Sequence, residues 1–167
     1  MTTSRFNFRT TVAADQQFLA EMLIEAAHAS GHELTLEALP ATTDSYRYVA
    51  DWGQPSDLGV IAHDDHGTPA GAAWLRHFDR TIASPAFIDE HTPELTIATT
   101  ASARGQGLGT ALLQRLQDTA AQAGVPALAL GVHRENQPAQ QLYRNEGWQL
   151  HTMAGDYNIL VKHLDRR

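Results

Sequence analysis

The sequence predicts a mixed α/β fold (α+β) in which one sheet carries helices on both faces. The predicted order of elements places antiparallel hairpins beside a single β–α–β unit, and turns rich in glycine and proline separate the segments. The chain of 167 residues suits one domain over 1–167. At this length a folded chain buries about 70% of its unfolded surface, which allows a substantial core.

The first hundred residues are expected to contain the early strands and the first helices. Phe6 and Phe8 alternate with polar residues, which predicts a strand over 5–11. Asp15 is placed to cap a helix that ends near His28. The next expected elements are a short helix over 33–39, a helix between Pro40 and Trp52, strands over 58–63 and 70–78, a loop over 80–93, and a strand over 95–100.

The rest of the chain follows a β–α–β–β pattern. Leu108, Leu112 and Leu116 recur at helical spacing, which predicts a helix that opens at one of the preceding glycines and ends at Gly124. Segment 127–132 is apolar on both faces and is expected to be a central strand. The last expected elements are a helix over 138–146 and strands over 148–153 and 157–164.

Composition excludes several classes of function. The net charge of −7 provides no basic footprint for nucleic acid. The absence of cysteine excludes disulfides, thiolate metal sites and a cysteine nucleophile. No apolar run is long enough to span a membrane and the first twenty residues do not resemble an export signal, so a cytoplasmic location is expected.

The charge is divided unequally along the chain. Residues 1–93 carry 13 acidic and 5 basic residues, whereas residues 94–167 carry 6 acidic and 7 basic residues. Two interpretations remain open: a solvated acidic surface, or a first half that favours a cationic ligand beside a second half that tolerates an anionic one.

The stretch that we call the glycine loop, residues 104–110, follows a predicted strand and precedes a predicted helix. Glycines allow close approach of a ligand, and the free amides of a helix start attract anions, so this loop is a candidate phosphate site. No Gly-Lys-Ser/Thr follows the glycines, which argues against a nucleoside-triphosphate P-loop. The Gly-x-Gly-x-Gly spacing and the lack of a later acidic residue argue against a dinucleotide fold.

Two motifs resemble those of a known family. Arg104-Gly-Gln-Gly-Leu-Gly109 is similar to the Arg/Gln-x-x-Gly-x-Gly/Ala pattern of the GNAT superfamily of acyl-CoA-dependent N-acetyltransferases. The segment 136–148 is similar to the family's Asn-x-x-Ala-x-x-Leu-Tyr-x-x-x-Gly-Phe pattern, with Trp148 in place of Phe. The resemblance implies a mostly antiparallel sheet of about seven strands, splayed in the middle to admit acyl-CoA, with acetyl-CoA as co-substrate.

The resemblance also implies which residues contact acetyl-CoA. The pantetheine arm would pair with main-chain groups of the strand before the loop. The pyrophosphate would lie on the loop amides, and Asn136 would contact the pantetheine, although Asn136 equally suits a helix N-cap. The implied cofactor-binding residues are Ile97, Ala98, Thr99, Arg104, Gly105, Gln106, Gly107, Leu108, Gly109, Thr110, Asn136 and Tyr143.

In the family, the tyrosine that corresponds to Tyr143 protonates the departing thiolate. Packing in the core is the alternative for this residue. Glu94 is the leading candidate for the base that deprotonates the amine, with a salt bridge or an exposed strand end as its alternative, and His133 is a second candidate. Because the chain has no cysteine for a thioester-linked intermediate, direct transfer in a ternary complex is expected.

The implied acceptor is a primary amine of a small molecule or peptide. Tyr46, Tyr48, Trp52, Trp74 and His77 would line its site or belong to the core. Segment 63–66 offers metal-ligand residue types but is expected to be a solvated turn, so no metal is expected. We expect no nucleic-acid or membrane partner, and a monomer or homodimer. The alternatives are an acyl-CoA-binding regulatory module with little catalysis, and a protein N-terminal or lysine acetyltransferase.

Overall fold

A computed structural model describes residues 5–165, in which seven strands form one sheet. The sheet order is β1-β2-β3-β4-β5-β7-β6, and every neighbouring pair is antiparallel except β4 and β5. This arrangement confirms the predicted fold class. The strands are β1 (Asn7–Thr10), β2 (Leu58–His63), β3 (Pro69–Arg76), β4 (Glu94–Thr99), β5 (Ala127–His133), β6 (Gln149–Ala154) and β7 (Tyr157–His163).

Helices cover both faces of the sheet because buried residues of its central strands alternate between two cores. Val60 packs in the core that contains helix α3 (Leu108–Gln122), whereas its neighbour Ile61 packs in the core that contains helix α1 (Gln16–Ala29). The short helix α2 (Thr43–Tyr46) lies on the α1 side, and α4 (Gln137–Asn145) lies on the α3 side. None of the helices in the described part of the chain is long and apolar enough to cross a bilayer.

The segment between α1 and β2 differs from the prediction. Residues 33–38 form no helix, and α2 is a single turn that ends well before Trp52. Leu34 and Leu36 are two positions apart and cannot share one helix face. Pro40 lies in a short 3₁₀ turn, where its missing N–H costs nothing. The predicted helix over 33–39 is therefore wrong, and the predicted helix between Pro40 and Trp52 is present only as the single turn of α2.

The connection between β2 and β3 is a tight turn. The Asp64 carboxylate accepts the N–H groups of His66 and Thr68, both at 2.9 Å. These hydrogen bonds lower the pKa of Asp64. The Asp64 carboxylate therefore serves to close the turn. Across residues 5–165, no three acidic or histidine side chains cluster so that they could hold a metal ion.

Candidate active site

An opening between β4 and β5 lies at the centre of the sheet. The two strands pair at one position, Glu94 with Ala129, where the Ala129 N–H donates to the Pro93 carbonyl at 3.0 Å. We call the opening beyond this pair the β4–β5 gap. Because parallel strands normally continue their ladder, the gap leaves main-chain groups of both strands free for another extended chain.

Alternation of the backbone identifies the groups that face the gap. The Thr100 N–H donates to the Ala70 carbonyl at 2.8 Å. Hydrogen-bonding directions alternate along a strand, so the main-chain N–H and C=O groups of Ala98 and Thr96 also point toward β3. Ile97 and Thr99 therefore direct their N–H and C=O groups into the gap. Ala98 differs from the expectation, because its main-chain groups face Ala72 on β3 and are not free for a ligand.

The glycine loop adjoins the end of β4. Gly105 and Gly107 have φ angles of 77° and 76°, a region that disfavours side chains, and a Cβ on either residue would meet nothing within 4 Å. The backbone is therefore open to a ligand at both glycines. Helix α3 begins directly afterwards, at Leu108.

Free amides line this loop. The Ala111 N–H donates to the Gly107 carbonyl at 3.2 Å, whereas the N–H groups of residues 105–110 find no acceptor within the described chain. Six consecutive donors at the positive end of a fifteen-residue helix form a favourable environment for a phosphate or pyrophosphate. This arrangement includes Gln106, Leu108, Gly109 and Thr110 through their main chain.

Arg104 supplies the positive side chain of the loop, but it is already paired. Its guanidinium donates to the Glu25 carboxylate on α1 at 2.8 Å, and both side chains are partly solvated. The sequence predicts a positive charge here and does not reveal its partner 79 positions earlier. An anion on the loop would therefore compete with Glu25 for Arg104.

Glu94 is buried at the point where the gap begins. Its side chain is 3% exposed, and Oε1 accepts hydrogen bonds from the Ser84 hydroxyl at 2.6 Å and the Tyr48 hydroxyl at 3.2 Å. Oε2 is buried with no hydrogen-bond partner within the described residues. Burial raises the pKa of Glu94, and the two hydrogen bonds oppose that shift only in part. The surface and salt-bridge alternatives for Glu94 are not what the structure shows.

Tyr143 is a residue of α4 and lies on the opposite side of the sheet from Glu94, in the core that also contains α3. It is 7% exposed and packs against Trp148, with ring centroids 5.7 Å apart. Burial raises the pKa of its hydroxyl, which therefore stays protonated at neutral pH. Desolvation is the only cause of this shift and no hydrogen bond to the hydroxyl contributes, so the hydroxyl of this core residue is available as a donor.

Asn136 and His133 are both engaged in local contacts. The Asn136 side chain caps α4 by accepting the Ala139 N–H at 3.2 Å. His133 accepts the Glu135 N–H on Nδ1 at 3.2 Å and meets the Tyr157 ring edge-on at 5.3 Å. The N-cap interpretation is confirmed, and the Nδ1 atom of His133 is already engaged with the backbone.

Most of the aromatic residues predicted for the acceptor site belong to the core. Trp74 is fully buried and donates its ring N–H to the Tyr48 carbonyl at 3.0 Å, and Trp52 packs beneath the Arg76 guanidinium. Of the five candidates, Tyr48 contacts Glu94 directly. Tyr46 and His77 line separate cavities of about 340 and 440 Å³.

Neither cavity contains Glu94 or the glycine loop. We place the candidate site in the β4–β5 gap because free main-chain groups, a loop of free amides and a buried carboxylate converge there. Ser84 and Glu25 were not predicted as site residues. Ser84 lies in an irregular loop and Glu25 on a helix, and no local motif marks either residue.

Comparison with known proteins agrees with this geometry. Residues 20–148, more than half of the chain, match the sequence profile of the acetyltransferase (GNAT) family. The chain belongs to this family. The resemblance to this family that the two motifs carry is therefore confirmed.

Individual relatives of this GNAT protein are distant. It is 29% identical over 135 residues to a mycothiol acetyltransferase from Beutenbergia cavernae, covering 80% of this chain but spanning only 40% of that relative. The GCN5-related N-acetyltransferase from Kribbella flavida has the same fold, with a TM-score of 0.69, 22% identity, and 96% and 98% of the two chains covered. YncA from Salmonella typhimurium, solved with its cofactor acetyl-CoA, gives a TM-score of 0.69 at 17% identity, covering 98% of this chain and 96% of that one.

Proposed function

We propose that this protein transfers the acetyl group of acetyl-CoA to a primary amine of a small molecule or peptide, directly within a ternary complex. The observation that carries the proposal is the β4–β5 gap, which joins a loop of free amides to a buried carboxylate with one unpartnered oxygen. Membership of the GNAT family and a structural neighbour that holds acetyl-CoA support the choice of acetyl donor.

The donor would occupy the α3 end of the gap. Its pyrophosphate would accept hydrogen bonds from the amides of residues 105–110, with Arg104 adding charge when it leaves Glu25. Its pantetheine arm would pair with the free main-chain groups of Ile97 and Thr99, as an added strand does. Asn136 would contribute its side-chain NH₂ while its oxygen caps α4.

The reaction requires a neutral amine. The acceptor ammonium would first lose one proton to solvent. Glu94 Oε2 would then accept the second proton from the amine nitrogen as this nitrogen attacks the thioester carbonyl and forms the C–N bond. As the C–S bond breaks, the thiolate would take the proton of the Tyr143 hydroxyl, and exchange with water would return both side chains to their starting protonation states. Glu94 lies on the α1 side of the sheet and Tyr143 on the α3 side, so the two proton transfers are kept apart.

A regulatory module that binds acyl-CoA without catalysis is the competing function. An unpartnered buried carboxylate oxygen has a cost in stability, which a simple binding module would have no reason to retain. The Oε2 atom of Glu94 therefore favours the enzyme. The cytoplasmic location and the monomeric or dimeric state remain predictions from the sequence.

The test is a thiol-release assay with acetyl-CoA and a panel of small amines, peptide N-termini and peptide lysines. We expect amine-dependent release, and a loss of about 100-fold or more in Glu94→Gln with CoA affinity unchanged by calorimetry. The best acceptor in the panel distinguishes a small-molecule enzyme from a protein acetyltransferase. CoA binding without amine-dependent release would instead establish the regulatory module.

A further inference from the structure

The connection between β3 and β4 reaches the candidate active site through one side chain. Ser84 lies ten positions before Glu94 and donates its hydroxyl to Oε1 at 2.6 Å, the shorter of the two hydrogen bonds to this carboxylate. The same hydroxyl accepts the Ala86 N–H at 3.1 Å, which fixes its orientation. Ser84 is therefore held between its own loop and the carboxylate.

Further contacts hold this loop against the sheet. The Arg47 guanidinium donates to the Ile82 carbonyl at 2.5 Å. Ala86 is 4% exposed, and its Cβ would lie 3.9 Å from a Cβ placed on Gly131 of β5. Residues 82–86 thus extend from the neighbourhood of α2 to β5, on the face of the sheet that carries Glu94.

The two oxygens of the Glu94 carboxylate differ in their hydrogen bonds. Oε1 accepts from Ser84 and Tyr48, whereas Oε2 is buried and unpartnered within the described residues. Arg76, the register partner of Glu94 on β3, directs its guanidinium to Asp57 at 2.9 and 3.2 Å and leaves Oε2 unengaged. Oε2 is therefore the oxygen that remains free to accept an N–H of an acceptor amine.

We propose that Ser84 is a positioning residue for the acetyl transfer: its hydroxyl holds Glu94 Oε1, so that Oε2 is the oxygen presented to the acceptor amine. The inference rests on the proposed function of Glu94 as the base. With this role for Ser84, the β3–β4 loop belongs to the acceptor side of the active site. The orientation of the Glu94 carboxylate then depends on a residue that lies outside the sheet.

The other neighbours of Glu94 do not replace the Ser84 hydrogen bond. Arg47 is a charged neighbour that interacts with the carboxylate without a hydrogen bond, and Tyr48 donates the longer hydrogen bond. Ala129, the partner of Glu94 on β5, has no polar side chain. A hydrogen bond donated to a carboxylate favours its charged form. Removal of the Ser84 hydroxyl should therefore raise the pKa of Glu94, in addition to freeing its orientation.

The experiment compares Ser84→Ala, Ser84→Thr and Glu94→Gln in the full chain. The titration midpoint of Glu94 is followed by carbon-13 NMR of the labelled carboxyl, assigned by its loss in Glu94→Gln, and kcat/KM is measured across pH. We expect Ser84→Ala to raise the midpoint, to shift the acidic limb of kcat/KM upward, and to lower kcat/KM about tenfold. Ser84→Thr, which keeps a hydroxyl, should restore all three.

Thr81→Ala is the matched control, because that hydroxyl lies in the same loop and bonds to Asp79 instead. It should leave the Glu94 midpoint in place. If Glu94→Gln is inactive but Ser84→Ala keeps the wild-type midpoint or the wild-type kcat/KM, the positioning role is wrong and the proposed function stands. If Glu94→Gln is fully active, Glu94 is not the base and the positioning role of Ser84 is wrong with it, while the acetyl transfer itself stands.

Discussion

Tyr143 shows how one residue can serve both packing and chemistry. Its ring packs on Trp148 inside the core, and its protonated hydroxyl is available as a donor. The core interpretation and the donor interpretation, which the sequence leaves open, are therefore compatible. A substitution that keeps the ring separates them.

Tyr143→Phe should lower kcat without a comparable rise in KM for acetyl-CoA. The hydroxyl acts in this scheme as the thiolate leaves, so its loss affects the transition state more than the bound substrate. Loss of one proton donor corresponds to about 100-fold in rate. Steady-state kinetics at pH 7 measure the effect, with thermal unfolding as the control for packing. Wild-type turnover in this variant would assign Tyr143 to packing and leave water as the acid.

Glu94 predicts a pH-dependent stability. Burial raises its pKa in the folded protein, so the folded state binds this proton more tightly than the unfolded chain does. That contribution to stability is present at acidic pH and is lost as the pH rises through the folded pKa. The free energy of unfolding of the wild type should therefore fall relative to that of Glu94→Gln as the pH rises from about 4, the ordinary pKa of a glutamate, through its higher pKa in the folded protein.

Each tenfold difference in proton affinity between the two states corresponds to about 1.4 kcal/mol. Urea unfolding of both proteins across this pH range measures the difference. If Glu94 were as solvated in the folded state as in the unfolded chain, the difference in unfolding free energy between the two proteins would not change with pH, and the prediction would be wrong.

At the scale of elements, α1 and the glycine loop are joined by the Glu25–Arg104 ion pair. An exposed pair of this kind contributes about 1 kcal/mol at most. Glu25→Gln should therefore tighten CoA binding by about two- to fivefold, because Arg104 no longer has to leave a carboxylate. Glu21→Gln, an exposed acid on the same helix, is the matched control for the change in net charge.

Arg104→Glu should weaken CoA binding at least tenfold, about 1.4 kcal/mol, since it reverses a charge beside the pyrophosphate. Calorimetry with CoA measures all three variants. Unchanged affinity in Arg104→Glu would mean that the loop amides bind the anion without help from the side chain, and would remove the reason for an effect of Glu25.

At the scale of the whole molecule, the charge asymmetry concerns the acceptor. Residues 1–93 contain 13 acidic residues, and within the described chain four of them pair with arginine, at Asp15, Glu25, Asp44 and Asp57. Acids without such partners raise the local concentration of a cation and repel an anion. This half of the chain supplies α1, α2 and the loop that holds Ser84, all on the side of Glu94.

We therefore expect cationic amines to have higher kcat/KM than amines that carry a carboxylate or phosphate near the reacting nitrogen. The advantage should fall as salt is raised, because ions screen exposed charges within about 8 Å at physiological ionic strength. Initial rates on matched cationic and anionic acceptors at low and high salt provide the measurement. Preference for anionic acceptors with no salt effect would contradict the charge argument and leave the acetyl-CoA half of the proposal intact.

Local patterns in the sequence were sufficient to predict the fold class and the position of the glycine loop. Alternation and helical spacing predicted the strands of the sheet and the long helix α3, and the glycines predicted an anion site at its start. These features depend on residues a few positions apart, where backbone geometry follows directly from side-chain type. The segment before β2 was mispredicted because its weak pattern is overruled by packing.

The rest of the site was decided by tertiary structure. The burial of Glu94, its bonds to Ser84 and Tyr48, and the pairing of Arg104 with Glu25 join residues 10, 46 and 79 positions apart. The β4–β5 gap likewise depends on two strands that pair only at Glu94 and Ala129, 35 positions apart. Whether a carboxylate is solvated or buried is a property of its surroundings in space, so the sequence by itself could name Glu94 but not its environment.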